Sequence, residues 1–169
     1  MSNTRVQSFL QELNSEYKAT RACLEKISET LFDYKPHPKS MNMGYLALLV
    51  AEIPLWIKHM ATDGEIDFVT FKHLTTKTTQ ALVTHFEENM EAARKALSEV
   101  TDEDLNEPFT LKANGRVLYT SPKVVDIGVT LNHWVHHRGQ LTVYMRLNDI
   151  PVPSIYGPSA DDQSFSAPK

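Results

Sequence analysis

The feature that most constrains this chain is a repeat of apolar residues every three or four positions in four long segments. The segments cover about residues 4–27, 42–60, 77–100 and 121–147. This spacing matches the α-helical period of 3.6 residues, so each segment places its apolar side chains on one face. Helices of this length bury such a face best against one another. The pattern therefore predicts an all-α protein, a four-helix bundle.

The period changes between the third and fourth segments. Residues 109–120, FTLKANGRVLYT, contain two β-favouring runs around Asn114-Gly115. Asn-Gly is typical of a two-residue hairpin turn, which predicts a small β-hairpin before the last long helix. Ser121-Pro122 then offers a helix cap with proline in the first turn. After about residue 150 the chain is rich in Pro, Ser and Asp, which predicts an irregular tail that is frayed at its end. We expect residues 1–169 to form a single domain.

Composition and charge exclude several classes of function. The formal net charge is −4 and no basic stripe is present, which argues against nucleic-acid binding. The most apolar stretch, residues 45–57, contains Glu52 and Pro54 and is too short to span a bilayer. Cys23 has no second cysteine to pair with and lies in a helical segment without a nucleophile motif. The sequence thus predicts a soluble cytoplasmic protein that binds neither nucleic acid nor membrane.

Three histidines lie close together in the fourth segment, NHWVHHRGQL. Residues four apart share a helix face, with about 5–6 Å between their Cβ atoms. His133 and His137 have this spacing and can hold one divalent ion between two imidazoles. His133 and His136, three apart, are the alternative pair. A histidine cluster satisfied by carboxylates and backbone carbonyls is the competing interpretation.

Polar groups continue beyond this pair. Gln140 and Tyr144 follow His133 and His137 on nearly the same face. Polar side chains on an otherwise apolar helix cost free energy unless they meet a cavity, a ligand or a polar surface. The stripe therefore favours a functional site. Arg138 projects to another side and is expected to be a salt-bridged surface or interface residue.

Three stretches of the chain strongly resemble the DinB-like (YfiT-like) superfamily. NHWVHHRGQLTVYMRLNDIPVPSIYGPSAD resembles its last helix and tail, while PHPKSMNMGYLALLVAEIPLW and FEENMEAARKALSEVTDEDL resemble its second and third helices. The resemblance implies an up-down-down-up four-helix bundle that often forms a homodimer. It also implies a nickel or zinc site made by one histidine of the second helix and an H-x-x-x-H pair of the last. Here that pair is His133 and His137, with water completing the shell.

The second helix departs from the family pattern. Leu49 stands where relatives usually have the third histidine, and leucine has no lone pair to donate. Glu52 lies about one turn further along and is a candidate replacement ligand, although its ordinary role is capping or salt bridging. His59 lies roughly 15 Å along the helix from Leu49, which is too far for a ligand unless the helix breaks at Pro54. His73 and His85 are outside the family's ligand positions, and we expect them to be surface or partly buried residues.

The sequence leaves two functions open. In the first, the protein keeps the fold and the histidine pair, but Leu49 weakens or abolishes metal-dependent activity. In the second, it is an active metal-dependent enzyme of the thiol-transferase or hydrolase type, with Glu52 or water completing the shell. A small molecule such as a low-molecular-weight thiol, which the resemblance implies for some relatives, would then enter near Tyr45, Trp56 or Tyr144.

Overall fold

The structure is a computed structural model that describes residues 4–164. It is mostly helical. The predicted frayed end of the tail falls on residues outside the described range. The long helices and the strands, in chain order, are α1 (Thr4–Leu24), α2 (Met43–Thr62), β1 (Glu65–Asp67), α3 (Thr79–Glu99), β2 (Pro108–Ala113), β3 (Arg116–Pro122) and α4 (Lys123–Arg146). Within residues 4–164, no helix combines the length and apolar character needed to cross a bilayer.

The helix starts follow local capping chemistry. Asn42 caps α2, since its side chain accepts a hydrogen bond from the Tyr45 N–H at 2.8 Å. The predicted cap of α4 is wrong. Pro122 ends β3 and precedes the first helical residue, and no side chain caps this helix. The Ser121 hydroxyl instead donates to the Asp126 carboxylate in the first turn.

The small sheet differs from the predicted hairpin. β2 and β3 do pair antiparallel across the predicted turn, where Asn114 and Gly115 have φ angles of 50° and 76°. Such positive φ angles suit a two-residue hairpin. However, β1 adds to β2 as a parallel strand, with Ile66 opposite Leu111. The prediction of a lone hairpin is therefore corrected to a three-stranded mixed sheet.

The third strand depends on contacts that local sequence does not reveal. β1 has only three residues, which is too short to show an alternating pattern. Its Asp67 carboxylate accepts hydrogen bonds from the N–H groups of Asn114 at 3.0 Å and Gly115 at 2.6 Å. This carboxylate ties the end of β1 to the turn between β2 and β3.

The four helices enclose one apolar core. α1 and α2 each pack against both α3 and α4. The start of α3 meets the chain just after α1, where the Thr79 hydroxyl donates to the Ile27 carbonyl at 2.5 Å. At the other end of α1, the Asp102 carboxylate accepts from the Val6 N–H at 3.0 Å. α1 and α3 therefore run antiparallel.

A buried polar network crosses the side of α4 that faces α1. Arg138 is only 2% exposed, and its Nη1 lies 2.5 Å from Glu16 Oε2. Its Nη2 donates to the Tyr156 hydroxyl at 2.9 Å, which ties the irregular tail to the helices. The predicted salt bridge of Arg138 is present, but its predicted surface or interface position is wrong, because Glu16 and Tyr156 satisfy the guanidinium inside the protein.

Candidate metal and ligand site

α4 brings His133 and His137 together, and we call them the α4 histidine pair. Their ring centroids are 4.4 Å apart and their Nε2 atoms are 2.6 Å apart. The Gln140 side-chain oxygen lies 2.7 Å from Nδ1 of His137 and accepts a hydrogen bond from it. His137 Nε2 therefore keeps its lone pair, and His133 Nε2 donates to it. His136, the alternative partner, instead packs its ring 5.1 Å from that of His137.

The surroundings of the α4 histidine pair favour neutral imidazoles. Burial lowers the pKa of His133 below its usual range, and the positive charges of His137 and His136 lower it further. Burial also lowers the pKa of His137, against an opposing hydrogen bond to Gln140. Neutral imidazole is the form that coordinates a metal. Neither ring therefore has to lose an imidazolium proton before it can coordinate an ion.

A cavity of about 390 Å³ opens beside His133. The Trp56 ring centroid lies 5.7 Å from that of His133. Most of the lining side chains are apolar. The lining residues come from α2, α4, the sheet and the connection between α2 and α3: Tyr45, Leu49, Trp56, Met60, Ile66, Phe68, Phe71, His73, Leu111, Tyr119, Asp126, Val129, Thr130 and His133.

The cavity gathers some of the residues that the sequence suggested and omits others. Tyr45, Leu49 and Trp56 line it together with His133. Tyr144 does not, because its ring is nearly buried and its hydroxyl donates to the Met41 carbonyl at 3.2 Å. Leu49 therefore lines the same cavity as His133, whereas Tyr144 has a packing role elsewhere on α4.

Glu52 belongs to a different group of side chains. Its carboxylate is 1% exposed, and Oε2 accepts from Nδ1 of His73 at 2.6 Å. Oε1 accepts from the Leu74 N–H at 2.8 Å and lies 3.4 Å from Nε2 of His85. We call Glu52, His73 and His85 the Glu52 cluster. In the described part of the chain, no hydrogen bond or ion pair joins Glu52 to the α4 histidine pair.

The Glu52 cluster holds an ionised carboxylate inside the protein. Burial by itself raises the pKa of Glu52. The nearby His85, together with hydrogen bonds from His73 and the Leu74 N–H, lowers it by more, so the pKa of this carboxyl lies below its ordinary value. The buried carboxylate is satisfied where it stands by two hydrogen-bond donors, His73 Nδ1 and the Leu74 N–H.

Sequence reasoning missed His73 and His85 as functional candidates. The available signal was Glu52 itself, since a carboxylate within an apolar helix must find buried donors. It also missed Asp126, which accepts from the Tyr119 hydroxyl at 2.9 Å in the cavity wall. Burial and this carboxylate raise the pKa of Tyr119 to about 12.

Two further observations limit the chemistry of the chain. Burial raises the pKa of the Cys23 thiol to about 11, which makes it a poor nucleophile. Among residues 4–164, no three or more side chains of His, Cys, Asp or Glu are grouped so that they could hold a metal ion. The α4 histidine pair stands apart from any such group.

These features define a mostly helical protein of four long helices with a histidine pair beside a cavity. The DinB family model matches residues 1–167, and the chain belongs to the DinB family. The chain is 27% identical over 149 residues to the uncharacterized protein YjoA of Bacillus subtilis (strain 168), covering 86% of this chain and 89% of that protein.

Solved structures show the same fold. The crystal structure of the DinB-like protein YjoA from Bacillus subtilis matches with a TM-score of 0.68 and 22% identity, covering 84% of this chain and 92% of that one. The crystal structure of a DinB-like protein from Bacillus cereus ATCC 10987 matches with a TM-score of 0.66 and 25% identity, covering 89% and 97%. The chain therefore has the fold of these DinB-like structures.

Proposed function

We propose that His133 and His137 bind one divalent ion, nickel or zinc, in a site that lacks its third histidine because Leu49 stands in that place. Metal-dependent activity is accordingly weakened or lost. The observation that carries the proposal is the convergence of the two Nε2 atoms at 2.6 Å, with Gln140 orienting His137. Two imidazole nitrogens are a donor set that suits both metals.

The pair needs only a small rearrangement to hold an ion. Two nitrogens at tetrahedral zinc are about 3.4 Å apart, so the rings must separate by less than about 1 Å. His133 must also move its proton from Nε2 to Nδ1. Water and a ligand in the cavity fill the remaining positions, which makes the site open and weaker than one with three histidines.

Calorimetric titration of Ni²⁺ and Zn²⁺ into protein without a polyhistidine tag tests this proposal. We expect weak, saturable binding of one ion to the unmodified chain and its loss in His137→Ala. Leu49→His should tighten binding by at least the roughly 10–100-fold that a supporting residue contributes. His37→Ala, at an exposed loop histidine, is the matched control and should change nothing. The proposal fails if neither the unmodified chain nor Leu49→His takes up metal.

We further infer that the four helices form an up-down-down-up bundle. The start of α4 lies at the end of α2, since Lys123 Nζ donates to the Ala61 carbonyl at 3.1 Å. β1 directly follows α2 and pairs parallel with β2, which follows α3, so α2 and α3 end on the same side. Together with antiparallel α1 and α3, these contacts support the bundle order.

The cavity supports the alternative of an active enzyme. Its volume of about 390 Å³ suits a small molecule, and His133 lies in its wall. A low-molecular-weight thiol is the ligand class that we propose, because a bound divalent ion lowers the pKa of a coordinating thiol. Titrating such a thiol into nickel-loaded protein should produce a thiolate-to-nickel absorption band that His137→Ala lacks. Absence of the band from loaded, unmodified protein excludes a thiol at the metal.

We also propose that a second copy of the chain packs on α4. Val125, Val129, Val143 and Leu147 form one stripe along this helix, and more than half of each side chain is exposed. A homodimer would bury them. Sedimentation should show a dimer that Val129→Glu dissociates, whereas Val69→Glu, at an exposed valine outside the stripe, leaves it intact. A monomeric unmodified chain contradicts this proposal.

A further inference from the structure

We propose that His73 is a proton acceptor in the wall of the cavity and that buried Glu52 is its positioning residue. The inference deepens the proposed function and rests on it in one respect: the ligand of the proposed site is the molecule that gives up the proton. Its geometry is independent of metal, because neither residue belongs to the α4 histidine pair. The Glu52 cluster would then be the acid–base part of the same site.

The hydrogen bonds of Glu52 decide which nitrogen of His73 carries the proton. Its oxygens can only accept, so His73 Nδ1, at 2.6 Å from Oε2, must donate an N–H. The other oxygen is held by the Leu74 N–H at 2.8 Å. The neutral ring therefore has its lone pair on Nε2, the nitrogen that this hydrogen bond leaves available.

The location of the ring makes this lone pair useful. His73 lines the same cavity as His133, so a molecule between them can reach both walls. The Phe71 ring packs 5.1 Å from the His73 ring and shields one side of it. The charged group facing His73 is Glu52 on α2, and His85 on α3 approaches the far oxygen of the same carboxylate at 3.4 Å.

The chemical step is a simple proton transfer. An O–H or S–H bond of a ligand or of a water molecule in the cavity breaks, and an N–H bond forms at His73 Nε2. The imidazolium that results lies beside the Glu52 carboxylate, whose negative charge stabilises it. The proton returns to the leaving group or to water when the step is complete. An alcohol, a thiol or water is therefore the class of molecule that this device activates.

Long-range ¹H–¹⁵N NMR of the imidazoles in the full-length, metal-free protein tests the inference. We expect neutral His73 to be the Nδ1–H tautomer. His37 is an internal reference, because its Nδ1 accepts from the Lys39 N–H at 3.2 Å, so its proton must be on Nε2. His73→Asn assigns the signal. An Nε2–H tautomer at His73 in the unmodified chain overturns the inference without any further variant.

Glu52→Gln should invert the tautomer. A glutamine has one oxygen, and the Leu74 N–H, which can only donate, takes it. The side-chain NH₂ then faces His73 and donates to Nδ1, which moves the ring proton to Nε2. Diethyl pyrocarbonate, which acylates the imidazole lone pair, should modify His73 several-fold more slowly in this variant, with His37 unchanged. Equal rates and an unchanged tautomer overturn the positioning role of Glu52.

A metal titration separates this inference from the proposed function. Ni²⁺ should bind Glu52→Gln as it binds the unmodified chain, because Glu52 is not a ligand. If Glu52→Gln loses metal as His137→Ala does, Glu52 is a ligand and the proton-acceptor inference is wrong. If no variant binds metal while His73 keeps the Nδ1–H tautomer, the proposed function fails and the acid–base device stands.

Discussion

The α4 histidine pair and the Glu52 cluster place the same side chain in opposite surroundings. His133 and His137 meet each other and an amide, and burial lowers the pKa of both. His73 and His85 meet a buried carboxylate instead. The first arrangement favours neutral imidazoles, as the proposed metal site requires, whereas the second fixes a proton on one nitrogen and leaves the other available. The partner of a histidine, together with its burial, therefore decides its chemistry.

The largest expected difference between the two regions is in stability. Glu52→Ala leaves the partly buried Leu74 N–H without an acceptor and removes the contacts of two histidines. We expect it to lower the free energy of unfolding by about 2–3 kcal/mol. The loss is no larger because His73 is partly exposed and can hydrogen-bond to water instead. His137→Ala, which removes no carboxylate partner, should cost less than about 1 kcal/mol. Urea denaturation measures both, and equal losses would contradict the contrast.

The second prediction concerns support of the metal site. Gln140→Leu removes the acceptor that keeps the His137 proton on Nδ1, so Nε2 is less available to a metal. We expect Ni²⁺ affinity to fall roughly 10–100-fold, as for other residues that orient a ligand. Calorimetry on Gln140→Leu and Gln140→Glu tests this. The glutamate, which still accepts, should retain affinity, and a loss in both variants would show that a neutral amide is required.

The third prediction is a pH dependence with two separate windows. His133 and His137 have lowered pKa values in the folded chain, so the unfolded chain takes up protons first as the pH falls. The free energy of unfolding should therefore decrease below pH 6.5, the ordinary pKa of histidine. The pKa of Glu52 is lowered as well. Its contribution to stability is therefore present above pH 4.5 and is lost as the pH falls through the lower pKa of the folded state. Urea denaturation from pH 8 to 4 measures the effect.

A double variant isolates the first window. In His133→Asn with His137→Asn, the unfolding free energy should change less between pH 6.5 and 5 than in the unmodified chain. Glu52→Gln should keep that slope and reduce the loss below pH 4.5. Identical pH profiles for the double variant and the unmodified chain would show that the α4 histidine pair is not destabilised by protonation.

The smallest effect is expected at His136. Its charge lowers the pKa of both neighbours, but its ring is exposed and it is not a proposed ligand. His136→Ala should raise the pKa of His133 and His137 slightly and leave Ni²⁺ affinity at pH 7.5 within about twofold. A large loss of affinity would assign the alternative pair, His133 with His136, as the metal ligands.

The sequence predicts the long helices well and the contacts between distant segments poorly. The four periodic segments correspond to α1–α4, with ends displaced by at most three residues. β1 was missed because three residues show no period, and its pairing depends on β2, more than forty residues later. Arg138 was misplaced because arginine is usually exposed, and only folding brings Glu16 and Tyr156 to it.

The candidate site shows the same limit. The spacing of His133 and His137 on one helix identified the pair directly, since helix geometry fixes their separation. The Glu52 cluster joins residues 21 and 33 positions apart, and no local rule connects a helix, a loop and a second helix. An isolated carboxylate in an apolar segment did indicate that buried donors exist. The sequence could not indicate which histidines supply them.

The buried thiol of Cys23 has a practical consequence for work on this protein. Since burial raises its pKa to about 11, it should stay silent toward maleimides and disulfide reagents in the folded chain at neutral pH. Any thiol that reacts is then an added small molecule or a cysteine introduced by design. A single engineered cysteine near the cavity mouth can therefore carry one fluorophore or spin label on the native background, without first removing Cys23.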